Sequence, residues 1–343
     1  MFGLFVKRSC QSSAFWEHAA MNTVRWGIIG CGDVTEKKSG PAFSKVAGSK
    51  LVAVMRRNAG AAASYARRHG VPRWYDHAEA LIQDPEIDAV YIATPPETHA
   101  HYTQQVAMAG KPVYVEKPMA RTVTECEAMI EACRKSEVPL FVAYYRRCLP
   151  HFVQVKEWLE QGRIGQVYGV QMSLFVPAPV QATDWRFDAG MAGGGLLYDL
   201  GSHQFDALDY LLGPIAEVQG SARNLAGRYE VEDTVSARWS FESGVEGAAL
   251  WCFVTDAAAK RDEITIAGSK GAITLSCFGK TAATLTTQEG LSQFEAPAPA
   301  HVQEGLIRSI VAELRGEGLA ASHGASALRT ARVIEAIAHG RAL

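Results

Sequence analysis

No stretch of this sequence approaches the ~20 consecutive apolar residues that cross a bilayer. Its apolar segments, such as Val138 to Tyr145, have the length of buried strands. No membrane partner is expected. Cysteine is sparse: there are seven, an odd number, with no CxxC pair. That excludes a disulfide framework and a zinc knuckle, and it reads as reduced thiols in a cytoplasmic enzyme with no metal site. An excess of positive charge is missing too. Lys and Arg number 34 against 36 Asp and Glu, a formal charge of −2. Proteins that neutralise many phosphates are basic, so nucleic acid is not an expected partner. Nor is the composition that of a disordered chain, with 48% hydrophobic and 20% charged residues. What remains is a soluble globular chain of 343 residues, long enough at about 150 residues per domain for two cores.

Residues 1–22 are expected to be a flexible N-terminal extension. Apolar Phe2 to Val6 comes before basic Lys7-Arg8, the reverse of a signal peptide. Residues 23–145 then alternate strand and helix. The short apolar runs Val24 to Ile29, Leu51 to Met55, Asp88 to Ala93, Pro112 to Val115 and Leu140 to Ala143 are separated by helical stretches at Ala59 to His69, Thr98 to Ala109 and Val123 to Lys135. Thr122 and Glu125 have capping-box spacing at the head of the last helix. Such alternation implies a parallel sheet covered on both faces. In residues 146–343 the period changes to two: Val235, Ala237, Trp239 and Phe241 share one face of a strand, with hairpins after it. This predicts a mostly antiparallel sheet, followed beyond Pro297 and Pro299 by two closing helices.

The chemistry concentrates in four places. Gly30-Cys31-Gly32 follows the first strand directly and precedes a helix. The first glycine permits a tight turn and the second lets the backbone approach a pyrophosphate. At the end of the second strand an NAD binder places a carboxylate for the ribose hydroxyls; this chain has Arg56 and Arg57, suited to a 2′-phosphate. NADP(H) is therefore expected, with NAD as the alternative. Glu116-Lys117-Pro118 sits at the carboxyl end of another strand, where an ammonium can hold a substrate hydroxyl. Finally, Leu196 to Leu212 reads as one helix on which Asp199, His203 and Asp206 share a face. Spacing alone leaves open whether that face is solvated or handles protons.

Together these residues resemble the glucose–fructose oxidoreductase/inositol dehydrogenase/MocA family of pyridine-nucleotide oxidoreductases. The carrying motifs are GIIGCGDV (Gly27 to Val34), ATPPETH (Ala93 to His99), EKP (Glu116 to Pro118) and GGGLLYDLGSHQFD (Gly193 to Asp206). The resemblance implies an α/β architecture: an N-terminal Rossmann parallel sheet, then a C-terminal α+β domain with a large open, mostly antiparallel sheet. It implies association into a homo-oligomer through that sheet. It places Lys117 between nicotinamide and substrate hydroxyl, with Asp199 and His203 at the substrate. The cofactor is expected against Gly30, Gly32, Asp33, Val34, Arg56, Arg57, Ala93, Thr94, Pro95, Pro96, Thr98, His99, Glu116 and Lys117. Asp184-Trp185-Arg186 resembles a segment whose Trp185–Arg186 pair contacts NADP in the anhydrofructose reductase branch. Ala143, Tyr144 and Tyr145 depart from that branch, which weighs against its substrate.

The implied activity is hydride transfer between NADP(H) and a secondary alcohol or ketone of a sugar, cyclitol or polyol. Either His203, oriented by Asp199, or Lys117 carries the proton. Two further readings fit the family: a glycoside hydrolase that retains its NAD, and a nucleotide-sensing regulator without turnover.

Overall fold

A computed structural model of the protein describes residues 22–177 and 185–343. Nearly all of the expected N-terminal extension, and Asp184, lie outside the described residues. The first sheet contains six strands: β1 (Val24–Ile29), β2 (Ser49–Met55), β3 (Arg73–Tyr75), β4 (Ala89–Ile92), β5 (Val113–Val115) and β6 (Leu140–Val142). Their order is β3-β2-β1-β4-β5-β6, and every pairing is parallel. The chain moves outward from β1 in one direction and then restarts at β4 in the other. This opens a crevice between the carboxyl ends of β1 and β4, where ligands of such sheets gather. β4, β5 and β6 are buried throughout, as continuous apolar runs covered on both faces must be. β3 was not expected; three residues are too few to display a period.

The helices Ala59–His69 and Val123–Lys135 have the expected bounds. Thr122 accepts from the Glu125 amide at 3.1 Å, but the Glu125 carboxylate takes the Arg121 amide at 3.0 Å instead of closing the box on Thr122. The stretch expected as Thr98 to Ala109 divides into a 3-10 turn, Pro96–Thr98, and the helix His99–Met108.

The second sheet has eight strands: β7 (Val167–Pro177), β8 (Ile215–Arg223), β9 (Thr234–Phe241), β10 (Glu246–Thr255), β11 (Arg261–Gly268), β12 (Gly271–Leu275), β13 (Ala282–Thr287) and β14 (Gly290–Glu295). In the order β14-β13-β12-β11-β7-β10-β9-β8 only β7 and β10 run parallel. The alternation read from β9 is observed: Val235, Ala237, Trp239 and Phe241 are buried against the helix Ser202–Leu212 and its surroundings. The helices Glu304–Leu314 and Gly324–His339 close the chain. Leu306, Ile307 and Ile310 of the former share a core with Trp26 of β1 and with Phe43 of the short helix Ala42–Lys45. Among the described residues no helix is long and apolar enough to cross a membrane.

Candidate functional site

A cavity of about 650 Å³ opens at the carboxyl ends of β1, β4 and β5 and extends toward the second sheet. Its first wall is the glycine turn. Gly30 has φ +90°, and a Cβ there would lie 2.7 Å from the Thr94 side chain and 3.0 Å from the Ala93 backbone. Only glycine fits so tight a turn between β1 and the loop after β4. At Gly32 an added Cβ would meet nothing nearer than 3.9 Å, so its backbone is open to the cavity. These are the requirements of a dinucleotide cradle. Where the fingerprint has its third glycine, Thr35 is fully buried. Its hydroxyl turns inward to donate to Gly32 O at 2.8 Å, and its carbonyl accepts from Tyr65.

Asp33 and Val34 line the same wall, as do Arg56, Arg57 and Asn58 after β2. Both arginines are exposed, and Asn58 caps the next helix by accepting from Ala61 N at 2.9 Å. Ala93, Thr94, Pro95 and Pro96 form the opposite lip.

At the centre stands the end of β5. Glu116 is buried; its Oε1 accepts from the Tyr91 hydroxyl at 2.5 Å and from Gln303 Nε2 at 2.6 Å, while its Oε2 faces the Lys117 amide. The carboxylate thus anchors the strand end, and Lys117 follows with a cis bond to Pro118. The Lys117 ammonium donates to the Asp199 carbonyl at 3.0 Å and to the Asp199 carboxylate. Arg186 Nε donates to the other carboxylate oxygen at 3.2 Å, and its guanidinium lies over the Trp185 ring. Burial alone would raise the Asp199 carboxyl, but the two cations outweigh it and hold it below the ordinary value. It is an anion between two donors.

His203 also lines the cavity, enclosed edge-on by Tyr144, Tyr145 and Phe278 at centroid distances of 5.3–6.0 Å. Burial, then the positive charges of Arg146, Lys117 and Lys38, hold its ring well below the usual 6.5, so it is neutral. Its Nδ1 is buried with no partner among the described residues.

Two expectations are corrected here. Asp199 does not orient His203; its carboxylate is occupied by Lys117 and Arg186. Nor do Asp199, His203 and Asp206 share one face of a continuous helix. Residues Leu197–Gly201 form a π turn before the helix Ser202–Leu212, and the wider turn rotates the following residues away from i, i+4 register. Asp206 points into the interior and pairs with Arg147 Nη2 at 2.8 Å. A solvated face is excluded as well, because Ser202, His203, Gln204 and Asp206 are all buried.

Thr98 and His99 do not line the cavity. Thr98 donates to the Thr94 hydroxyl at 2.7 Å. The buried His99 ring lies 2.8 Å from Thr94 O and 3.1 Å from Pro118 O, joining the loops after β4 and β5 from behind. Residues that sequence reasoning missed are Lys38, Arg146, Phe278 and Gln303. Arg146 was adjacent to a noted Tyr pair; Phe278 and Gln303 carry no local signal and arrive by tertiary packing. Among the described residues no group of His, Cys, Asp and Glu could hold a metal ion.

A sequence profile for an oxidoreductase family with an NAD-binding Rossmann fold matches residues 24–144. A profile for the GFO/IDH/MocA C-terminal domain matches residues 152–274. The chain is 37% identical over 294 residues to oxidoreductase P35 of Formosa agariphila, covering 84% of this chain and 90% of that protein. It is 29% identical to the 1,5-anhydro-D-fructose reductase of Ensifer adhaerens over 88% of this chain and 91% of that one. The crystal structure of an aldose-aldose oxidoreductase from Caulobacter crescentus, complexed with glycerol, superposes with a TM-score of 0.82 at 26% identity, over 94% of this chain and 99% of that one.

Proposed function

The chain belongs to the GFO/IDH/MocA family of oxidoreductases with an NAD-binding Rossmann fold, and on that premise we propose an NADP(H)-dependent enzyme that interconverts a secondary alcohol and its ketone on a sugar, cyclitol or related polyol. One observation carries the reading: the Lys117 ammonium, held by Asp199, stands in the same cavity as the glycine turn and the Arg56–Arg57 pair.

The nicotinamide, when bound, takes or gives the hydride. The chain supplies the rest. Gly30 makes the tight turn while its own amide donates to Met55 O, Gly32 would let the backbone approach the pyrophosphate, and Arg56 with Arg57 suits a 2′-phosphate because a guanidinium grips it bidentately. Lys117 donates to the reacting oxygen, which is where negative charge grows when the hydroxyl loses its proton. Asp199 fixes the ammonium, and in the oxidation direction Lys117 would pass one proton to the Asp199 carboxylate as its nitrogen takes the hydroxyl proton; in reduction the two transfers reverse. Neutral His203 holds the substrate by a hydrogen bond. Its depressed proton affinity supports Lys117, rather than the imidazole, as the group that exchanges the proton. Association through the open face of the second sheet, where Tyr168 and Leu250 are exposed, belongs to the same reading.

The test is a screen of sugars, cyclitols and polyols that follows nicotinamide absorbance, with NADP and NAD in parallel. Turnover on a polyol with NADP preferred supports the proposal. Cofactor binding with no turnover on any member counts against it.

A further inference from the structure

Two arginines follow each other on the turn after β6, and they differ in one respect. Arg147 is buried and fully matched: its Nε and Nη2 meet Asp206 at 2.8–2.9 Å, and Nη2 also meets Asp209 at 2.9 Å. Arg146 is just as buried, with 5% of its surface exposed, and has no acid partner among the described residues. Its Nε donates to Cys277 O at 2.9 Å. Its Nη1 is buried with no hydrogen-bond partner. The nearby carboxylate of Asp262 is already filled by the amides of Cys277, Phe278 and Gly279 and by the Ser276 hydroxyl. A buried cation with unused donors is costly unless something completes it.

The surroundings fix where the completing group sits. The guanidinium carbon lies 4.4 Å from the centroid of the Phe278 ring and 5.0 Å from that of the Tyr145 ring. Neither ring supplies a carboxylate to the N–H groups, so the unpartnered Nη1 is the donor left for a ligand. Tyr145, Arg146 and Phe278 all line the cavity, and both rings also flank His203. The unpartnered donor therefore belongs to the His203 end of the cavity, which Lys117 and Asp199 also line. Of the other cations there, Lys117 and Arg186 share Asp199, Arg56 and Arg57 stand at the nucleotide end, and Lys38 ends the short helix after the glycine turn.

We propose that Arg146 recognises a carboxylate on the substrate, so that the preferred substrate is a sugar acid rather than a neutral sugar. A carboxylate is planar and offers two oxygens to the guanidinium fork, and its negative charge matches a buried cation that has no acid partner among the described residues. This rests on the polyol oxidoreductase reading given above.

The experiment uses the full chain with saturating NADP and matched pairs: hexuronates and aldonates against the corresponding neutral hexoses and hexitols, with hexose phosphates as a third arm. Wild type, Arg146→Gln and Arg146→Lys are compared by kcat/KM and, on the NADP-loaded protein, by calorimetric binding. Thermal unfolding confirms that each variant is folded. At least one acid is expected to exceed its neutral partner by about ten- to hundredfold, the value of a charge-assisted contact. Arg146→Gln should remove that preference, and Arg146→Lys should restore part of it. Neutral partners favoured in every pair, or a preference for acids that Arg146→Gln leaves intact, overturns the assignment; so does a preference for phosphates over carboxylates. No turnover of any sugar or acid counts against the oxidoreductase reading alone. In that case acid binding that depends on Arg146 keeps the assignment, and binding that does not discriminate ends it.

Discussion

Lys117 and Asp199 stand 82 positions apart in the chain, yet the Lys117 ammonium donates to both the backbone carbonyl and the carboxylate of Asp199. One comes from the end of a parallel strand, the other from a π turn that leads into the helix under the second sheet. The pair therefore joins the two halves of the molecule at the cavity, and it aims the ammonium before any substrate arrives.

Lys117→Met removes the charge but leaves Asp199 still bound by Arg186. Turnover is expected to fall on the order of a hundredfold to a thousandfold, the usual cost of one preorganised group at a developing charge, and the loss should sit in kcat. Nucleotide binding, measured by fluorescence quenching, should stay near wild type. A variant with normal kcat removes Lys117 from the reaction.

Arg56→Asp exchanges a guanidinium at the nucleotide end of the cavity for a carboxylate. The preference for NADP over NAD should shift by about ten- to hundredfold toward NAD. Comparing kcat/KM for the two cofactors in both proteins reads this directly, and a wild type that strongly prefers NAD contradicts it.

His203 is kept neutral by burial and by Arg146, Lys117 and Lys38. It binds a proton only well on the acid side of 6.5, so its protonation produces a fall in oxidation rate there and none near neutrality. His203→Asn should abolish that acid limb. Asp199→Asn should slow the enzyme about tenfold or more by releasing the ammonium, yet leave the limb close to where it was, because Asp199 is not bonded to the ring. A limb that shifts strongly in Asp199→Asn would restore the direct Asp199–His203 link. The pH dependence of kcat/KM in the three proteins decides it.

Folding stability should weaken in mild acid. Burial, with Arg146 nearby, lowers His151 to about 4, and burial lowers His99 and His203 as well. Each is depressed in the folded state, so the unfolded chain binds more protons between about pH 6.5 and the folded values. Stability is full above pH 6.5 and declines as pH falls through that window. Neither His151 nitrogen has a partner, so His151→Phe should flatten the decline in a series of thermal unfolding curves.

Arg147→Met leaves Asp206 without its partner in the interior, with Asp209 still bound by Arg329 at 2.7 Å. A loss of about 3–5 kcal/mol is expected, as when one member of a buried ion pair is removed. Urea unfolding checks it; a midpoint equal to wild type would show that the buried carboxylate costs little.

The sequence by itself determined the parallel sheet, the one-sided strands of the second sheet and the glycine turn, because these are written in residues close together: apolar period, turn chemistry and the sterics at Gly30. It also marked Lys117, Asp199 and His203 as separate signals. It did not determine how they meet. The spacing of Asp199, His203 and Asp206 predicts a shared face only if the helix is regular, and one π turn breaks the register between Asp199 and the helix that carries the other two. Likewise Arg146 and Arg147 are neighbours of identical chemistry in the sequence. Only the tertiary structure, by burying two aspartates against one and two aromatic rings against the other, left Arg147 neutralised and Arg146 without an acid among the described residues. Partner choice depends on what distant segments bring into reach, and no local pattern carries that information.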